Sequence, residues 1–395
     1  MAKKEAESGL SLNIDELKDY LRHIIKNNRY IQGNGKTPVA VEIEGDSGLG
    51  KTSAALQLGK ELGLDVVKLN LSQIEEIGDL VGFPVKEYKM VKGEEEKWVI
   101  HEAMESCKEE GYLVSGQSRM SYSPPEWIAN KKAGGILLLD DYSRAELRFI
   151  QATMELIDRQ TYISWKLPED WHIILTTNPD NGEYLVTTMD NAQRTRVNKV
   201  AVKFDVKTWA KWAEEDGIDG RCINFLLMHP EVITEKTNAR SVSTFFNTIS
   251  SFENFEDNLP MIQMLGEGSV GPHLSTLFTT FIANRLDKIM SPKEIVNSSN
   301  WNAVKDALTK TIGVNEKYRA DIAGVLSTRI INYTVTSSHK EKVTPKIIDR
   351  IKNLVESDIF ADDLKFYIVR AILNGNQKEF SPMMTSPGLV KYMTK

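Results

Sequence analysis

Eight consecutive residues, GDSGLGKT from Gly45 to Thr52, follow the spacing G-x-x-x-x-G-K-[ST]. The spacing has a chemical reason. Glycines let the backbone curl so that successive N–H groups, here those of Gly45, Asp46, Ser47, Gly48, Leu49 and Gly50, point at phosphate oxygens, and the helix that follows adds its positive end. Lys51 is then placed to reach the β and γ phosphates, and the Thr52 hydroxyl to bind Mg²⁺. Hydrolysis needs a carboxylate for the Mg²⁺ shell and usually a second to activate water. GGILLLDD supplies both: Asp140 ends a four-residue apolar run, where the ligands of open α/β sheets gather, and Asp141 follows. In WHIILTTNP another apolar run ends in Thr176, Thr177 and Asn178, and the Asn178 amide is suited to the γ-phosphate or the attacking water. Three arginines complete the set. Arg194 and Arg196 lie in MDNAQRTRV, where a guanidinium can clamp the γ-phosphate of a neighbouring subunit, and Arg240 lies in TNARSV at the start of a helix.

These residues need a sheet to converge them. From Asn13, whose spacing to Glu16 reads as a capping box, a helix leads into VAVEIEG, a β-branched strand that ends on Gly45. Strands are expected at 39–44, 66–70, 136–140, 171–176 and 199–204, with helices near 51–62, 73–81, 100–110 and 144–158. Strand and helix alternate, so the expected core is α/β, a parallel sheet of five strands covered by helices. Two segments interrupt it: 88–100 reads as a hairpin turning at Lys92 and Gly93, and 161–171 as a second. Beyond 205 helical patterns take over. The expected domains are an N-terminal helix and linker over 1–35, an α/β nucleotide-binding core over 36–205, a helical lid over 206–295 and a helical C-terminal domain over 296–395.

Composition narrows the classes. The chain has 395 residues, 41% hydrophobic and 26% charged, as in a globular protein. Its longest apolar runs, Ile136 to Leu139 and Phe225 to Met228, are too short to span a bilayer, and MAKKEAESG has no apolar stretch behind it, so neither a membrane helix nor a secretory signal is expected. A net charge of −6 gives no general attraction to nucleic acid. Cys107 and Cys222 lack metal-ligand spacing and read as reduced packing residues of a cytoplasmic protein, and the six scattered histidines suggest no metal besides Mg²⁺.

The order of these motifs resembles that of AAA+ ATPases, and LLLDDYSRA with its following helix and hairpin is similar to the MoxR-like group, related to CbbQ and NorQ. IEEIGDLVGFP (74–84) and YSPPEW (122–127) are similar too, and the resemblance runs from about residue 15 to 250. It implies ATP and Mg²⁺ as cofactors. It further implies phosphate contact by Lys51, Mg²⁺ service by Asp140, a catalytic base at Asp141, sensor 1 at Asn178, an arginine finger at Arg196, sensor 2 at Arg240 and a second trans-acting arginine at Arg194. A homo-oligomeric ring, commonly of six subunits, and a partner protein with a von Willebrand factor A domain are also implied, with the hairpins near the pore. One position departs from the family. Glu usually follows the Asp of this strand, and Asp141 is one methylene shorter, so slow hydrolysis is expected. Two other readings stay open: a nucleic-acid motor or loader, and a nucleotide-controlled scaffold with negligible turnover.

Overall fold

A computed structural model describes residues 10–180, 187, 191–234, 236–283, 289–313 and 317–392. The chain divides into two compact units, Met1–Lys203 and Phe204–Lys395.

The first unit is α/β. Its elements run β1 (Ser11–Leu12), α1 (Ile14–Gly33), β2 (Ala40–Glu44), α2 (Lys51–Leu62), β3 (Asp65–Asn70), α3 (Ile77–Val81), β4 (Phe83–Lys92), β5 (Glu95–Ile100), α4 (Met104–Glu109), β6 (Leu113–Ser123) and α5 (Glu126–Ala129). They continue with β7 (Gly135–Asp140), α6 (Leu147–Arg159), β8 (Thr161–Tyr162), β9 (Trp165–Lys166), β10 (Trp171–Thr177), α7 (Asn191–Arg194) and β11 (Val197–Val202). The five expected strands form one parallel sheet, and the short β1 extends it to six in the order β1-β11-β2-β10-β7-β3. The capping box at Asn13 starts α1 as its spacing predicts: Glu16 N–H donates to Asn13 Oδ1 at 2.9 Å and Asn13 N–H to Glu16 Oε2 at 2.9 Å.

Period-2 alternation gives each sheet face its own core. On one side Ile43, Ile136, Leu138 and Ile174 meet Leu17, Leu21 and Ile25 of α1 and Ala54, Ala55 and Leu58 of α2. On the other side Leu137, Leu139, Ile173 and Leu175 meet Phe149, Ile150, Leu156 and Ile157 of α6. With both faces covered, the central strands are fully buried, which fixes the register that aligns their ends.

The insertion after β3 is larger than a hairpin. β4 pairs antiparallel with β5 as expected, but also with β6 on its other side, making a three-stranded sheet. β6 reads LVSGQSRMSYS, mostly exposed and interrupted by Gly116 at φ +80°, so it lacks the apolar alternation that marks a strand. The helix expected over 73–81 begins only at Ile77. Asn70 Oδ1 accepts from the Ser72 N–H and hydroxyl, and that turn competes with the helix start. The two insertions are tied together. The Ser164 hydroxyl, in the turn between β8 and β9, accepts from Tyr122 N–H at 2.6 Å and donates to Tyr122 O at 3.1 Å, while Trp127 and Trp165 stand edge to face at 5.8 Å.

The second unit is helical. It comprises α8 (Val206–Asp216), α9 (Gly220–Met228), α10 (Ala239–Thr248), α11 (Leu259–Val270), α12 (Pro272–Ala283), α13 (Pro292–Asn297), α14 (Trp301–Ile312), α15 (Ala320–Lys340), α16 (Pro345–Glu356) and α17 (Asp362–Gly375), followed by short turns. One apolar cluster gathers Phe225, Phe245, Phe246, Phe255, Phe278 and Phe281, and another gathers residues of α13 to α17. Arg329 of α15 joins them: buried itself, it donates to the partly buried Glu214 at 2.7 Å and to Asn224 at 3.0 Å, so loss of the glutamate would strand a buried charge. Trp209 packs in the first cluster, and the exposed Trp212 stands beside it with ring centroids 6.3 Å apart. Cys107 and Cys222 are buried free thiols.

Candidate nucleotide and magnesium site

The loop after β2 turns back on itself because Gly48 and Gly50 take φ of +81° and +87°, a region costly for side chains with a Cβ. Its first residue is anchored to the sheet by Gly45 N–H donating to Thr177 O at 3.2 Å. At the last turn α2 begins directly with Lys51, so the helix's free N–H groups and positive end face the concavity. Lys51 is buried, and its ammonium lies within the curve, donating to Gly45 O at 2.5 Å, to Asp46 O at 2.9 Å and to Asn178 Oδ1 at 3.4 Å.

Sheet order then explains why a distant strand supplies the acid. β10 lies between β2 and β7, so the carboxyl ends of all three strands open on one crevice, with Asn178 between Lys51 and Asp140. Asp140 Oδ1 accepts from the Thr52 hydroxyl at 2.7 Å and from the Thr176 hydroxyl at 2.6 Å, and its Oδ2 faces the Lys68 ammonium at 2.9 Å. Burial pushes the Asp140 carboxyl up, but the Thr176, Thr52 and Lys68 donors outweigh it and hold the group below its ordinary range. It is therefore ionised at neutral pH. A hydroxyl and a carboxylate at hydrogen-bond distance beside a helix start form an oxygen donor set that suits Mg²⁺. Thr52 can present a lone pair to the metal while its O–H still donates to Asp140.

Asp141 takes a left-handed backbone, φ +51° and ψ +36°, and its N–H donates to Thr176 Oγ1 at 3.1 Å. This conformation is much more accessible to Asp and Asn than to longer side chains, which gives a physical reason for the shorter acid here. Asp141→Glu is expected to keep steady-state turnover at or above the wild-type rate with a small loss of thermal stability, whereas Asp141→Asn should lower it by roughly 100-fold or more. Complete loss of phosphate release in Asp141→Glu would contradict the placement of the base.

Asn178 is buried, and its N–H donates to the Ser143 hydroxyl at 3.0 Å, which links it to the turn after Asp141. One residue earlier, the Thr177 hydroxyl donates to Glu42 Oε1 at 2.9 Å. Glu42 is buried in the middle of β2; burial raises its carboxyl above the ordinary range, with Lys199 and Arg194 acting in the opposite direction.

Arg196 lies away from this crevice. Arg196 comes just before β11, at the sheet's amino-terminal end, where Val197 pairs with Ala40. Five strand residues separate that level from Gly45, roughly 17 Å at about 3.3 Å per residue. It is partly exposed, and its Nε sits 3.6 Å from Asp158 Oδ2 of α6. Arg194 is exposed in α7. The preceding part of the MDNAQRTRV segment, Met189 and Asp190, lies outside the described residues. Arg240 is exposed in the first turn of α10, where Asn238 caps the helix by accepting from Ser241 N–H at 3.0 Å. Lys51, Thr52, Asp140, Asp141 and Asn178 thus share one crevice, and Arg196 stands at the opposite end of the same sheet. Two contributors escape sequence reasoning, Lys68 and the bridging Thr176. For Lys68 the available signal is a lysine inside a strand adjacent to the acid-bearing one.

No family model matches the chain, and no curated protein matches it. Among solved structures it is similar to a protein from Cytophaga hutchinsonii, at 13% identity and TM-score 0.33 over 85% of this chain and 79% of that one. It is also similar to the RuvB Holliday junction branch migration motor of Thermotoga maritima, at 14% identity and TM-score 0.35 over 85% and 92%. Likeness at this level carries no weight for function, which is read from the crevice itself.

Proposed function

We propose that the chain is a Mg²⁺-dependent ATPase of the AAA+ class, in the MoxR-like manner, working as a homo-oligomeric ring that remodels or activates a partner protein. The observation that carries the ATPase reading is the hydrogen bond from Thr52 to Asp140, with the Lys51 ammonium and the Asn178 amide in the same crevice. In this reading the loop N–H groups and Lys51 hold the triphosphate. Bound Mg²⁺ supplies positive charge to its oxygens. Thr52 and Asp140 hold that ion, Asn178 orients the γ-phosphate or the attacking water, and Asp141 accepts the water's proton as its oxygen attacks phosphorus. ADP leaves with the electrons of the broken bond.

The ring is supported by distance. An arginine roughly 17 Å from its own loop cannot touch its own γ-phosphate, yet it lies on a face that a head-to-tail neighbour can meet. The von Willebrand factor A partner rests on the resemblance of LLLDDYSRA and the two insertions alone. Phosphate release by the purified full chain, with light scattering in parallel, tests the proposal. Turnover that needs Mg²⁺ is expected, together with a ring-sized mass in a slowly hydrolysed ATP analogue. A monomer under all conditions would remove the trans-acting arginine, and strong stimulation by DNA would favour a nucleic-acid motor instead.

A further inference from the structure

The Lys68–Asp140 pair has no role in the chemistry above. Lys68 is in the middle of β3, which pairs with β7 so that Lys68 lies opposite Leu138 and Asn70 opposite Asp140. Side chains two residues apart share a face, so Lys68 points to the same side of the sheet as Asp140. Its ammonium reaches Oδ2 at 2.9 Å, with the lysine side chain 42% exposed and the aspartate side chain 10% exposed. The other carboxylate oxygen already accepts from two hydroxyls, those of Thr52 and Thr176. Oδ2 is therefore the oxygen open to a donor water of a metal shell, and a cation already holds it.

We propose that the Lys68 ammonium and the Mg²⁺ shell of a bound nucleotide compete for Asp140 Oδ2, so that Lys68 sets how much free Mg²⁺ the site requires. The inference rests on the nucleotide reading of the site. Two cations cannot share this oxygen cheaply, because like charges within a few ångströms in a partly desolvated crevice repel. Lys68 has the means to leave: its exposed four-carbon stem can carry the ammonium into water, where it is well solvated. Without nucleotide, the lysine neutralises a carboxylate that would otherwise be an unpaired, largely buried charge. With nucleotide, its departure is coupled to metal arrival, and by linkage each weakens the other to the same extent. The site would then bind ATP firmly only above a Mg²⁺ threshold.

Titrating free Mg²⁺ against a fluorescent ATP analogue, with EDTA as baseline, reads this coupling without relying on turnover. Lys68→Met is expected to lower the Mg²⁺ concentration for half-maximal tightening by about fivefold, the size suited to a partly exposed ion pair. Lys68→Arg should stay within about twofold of wild type, since it keeps the charge. Lys68→Gln provides a second neutral variant should the methionine impair folding, and the same shift is expected of it. An unchanged midpoint in the neutral variants would overturn the proposal. So would weaker binding at saturating Mg²⁺, because that would make Lys68 a phosphate ligand. Failure of the wild-type chain to bind the analogue under any condition would instead remove the nucleotide reading beneath it.

Discussion

Lys51→Ala should lower affinity for Mg²⁺-ATP by about 100-fold or more and leave no measurable turnover. The ammonium lies inside the loop's curve, where it donates to Gly45 O, Asp46 O and Asn178 Oδ1. Transferred to phosphate oxygens, those donors meet a charged acceptor in a confined site, in bonds worth about 1.5–3 kcal/mol each. Losing even one at the upper end costs about 150-fold in binding. Lys51→Arg should not rescue, because a planar guanidinium does not fit a point-charge position within a tight turn. Equilibrium titration with a fluorescent nucleotide is the check. An affinity within threefold of wild type would mean that ATP does not sit in this loop.

Arg196→Ala should separate binding from chemistry. Because Arg196 is roughly 17 Å along the sheet from its own loop, nucleotide affinity should remain within a few-fold of wild type. Turnover should fall by about 1,000-fold or more, the usual size of an arginine that stabilises transition-state charge from a neighbour. The Asp158 ion pair is long, at 3.6 Å, and both partners are partly exposed, so loss of that pair costs little stability. Parallel loss of affinity and turnover would point to a role in the fold or in a different site.

The loop, the acid strand and the alternating core are legible in the sequence because each is encoded locally. A Gly-x-x-x-x-Gly-Lys spacing dictates its own backbone, and a four-residue apolar run ending in two acids fixes both a buried strand and its exit. What stays hidden depends on tertiary register. Lys68 in DVVKLN reads as an ordinary solvent-facing strand lysine, and only the pairing of Asn70 with Asp140 brings its ammonium to Oδ2. Thr176 likewise reads as the end of a strand, although its hydroxyl bridges the Asp140 side chain and the Asp141 N–H. β1 escapes because two residues carry no periodicity, and their pairing with Ala201 and Val202 is remote in sequence. β6 escapes because an exposed ribbon needs no apolar face. The last strand of the sheet starts at Val197, two residues before the expected 199, since the register on β2 extends pairing down to Ala40.

The most direct test mixes two dead proteins. Lys51→Ala subunits cannot hold ATP but still present Arg196, and Arg196→Ala subunits hold ATP but lack the arginine. If each site is completed across a head-to-tail interface, random assembly of equal amounts creates an intact pair at roughly one interface in four, ½ × ½. Phosphate release by the mixture should then recover to about a quarter of the wild-type rate. A mixture as inactive as its components, under conditions where wild type turns over, would contradict an ATPase whose sites are shared between neighbouring subunits.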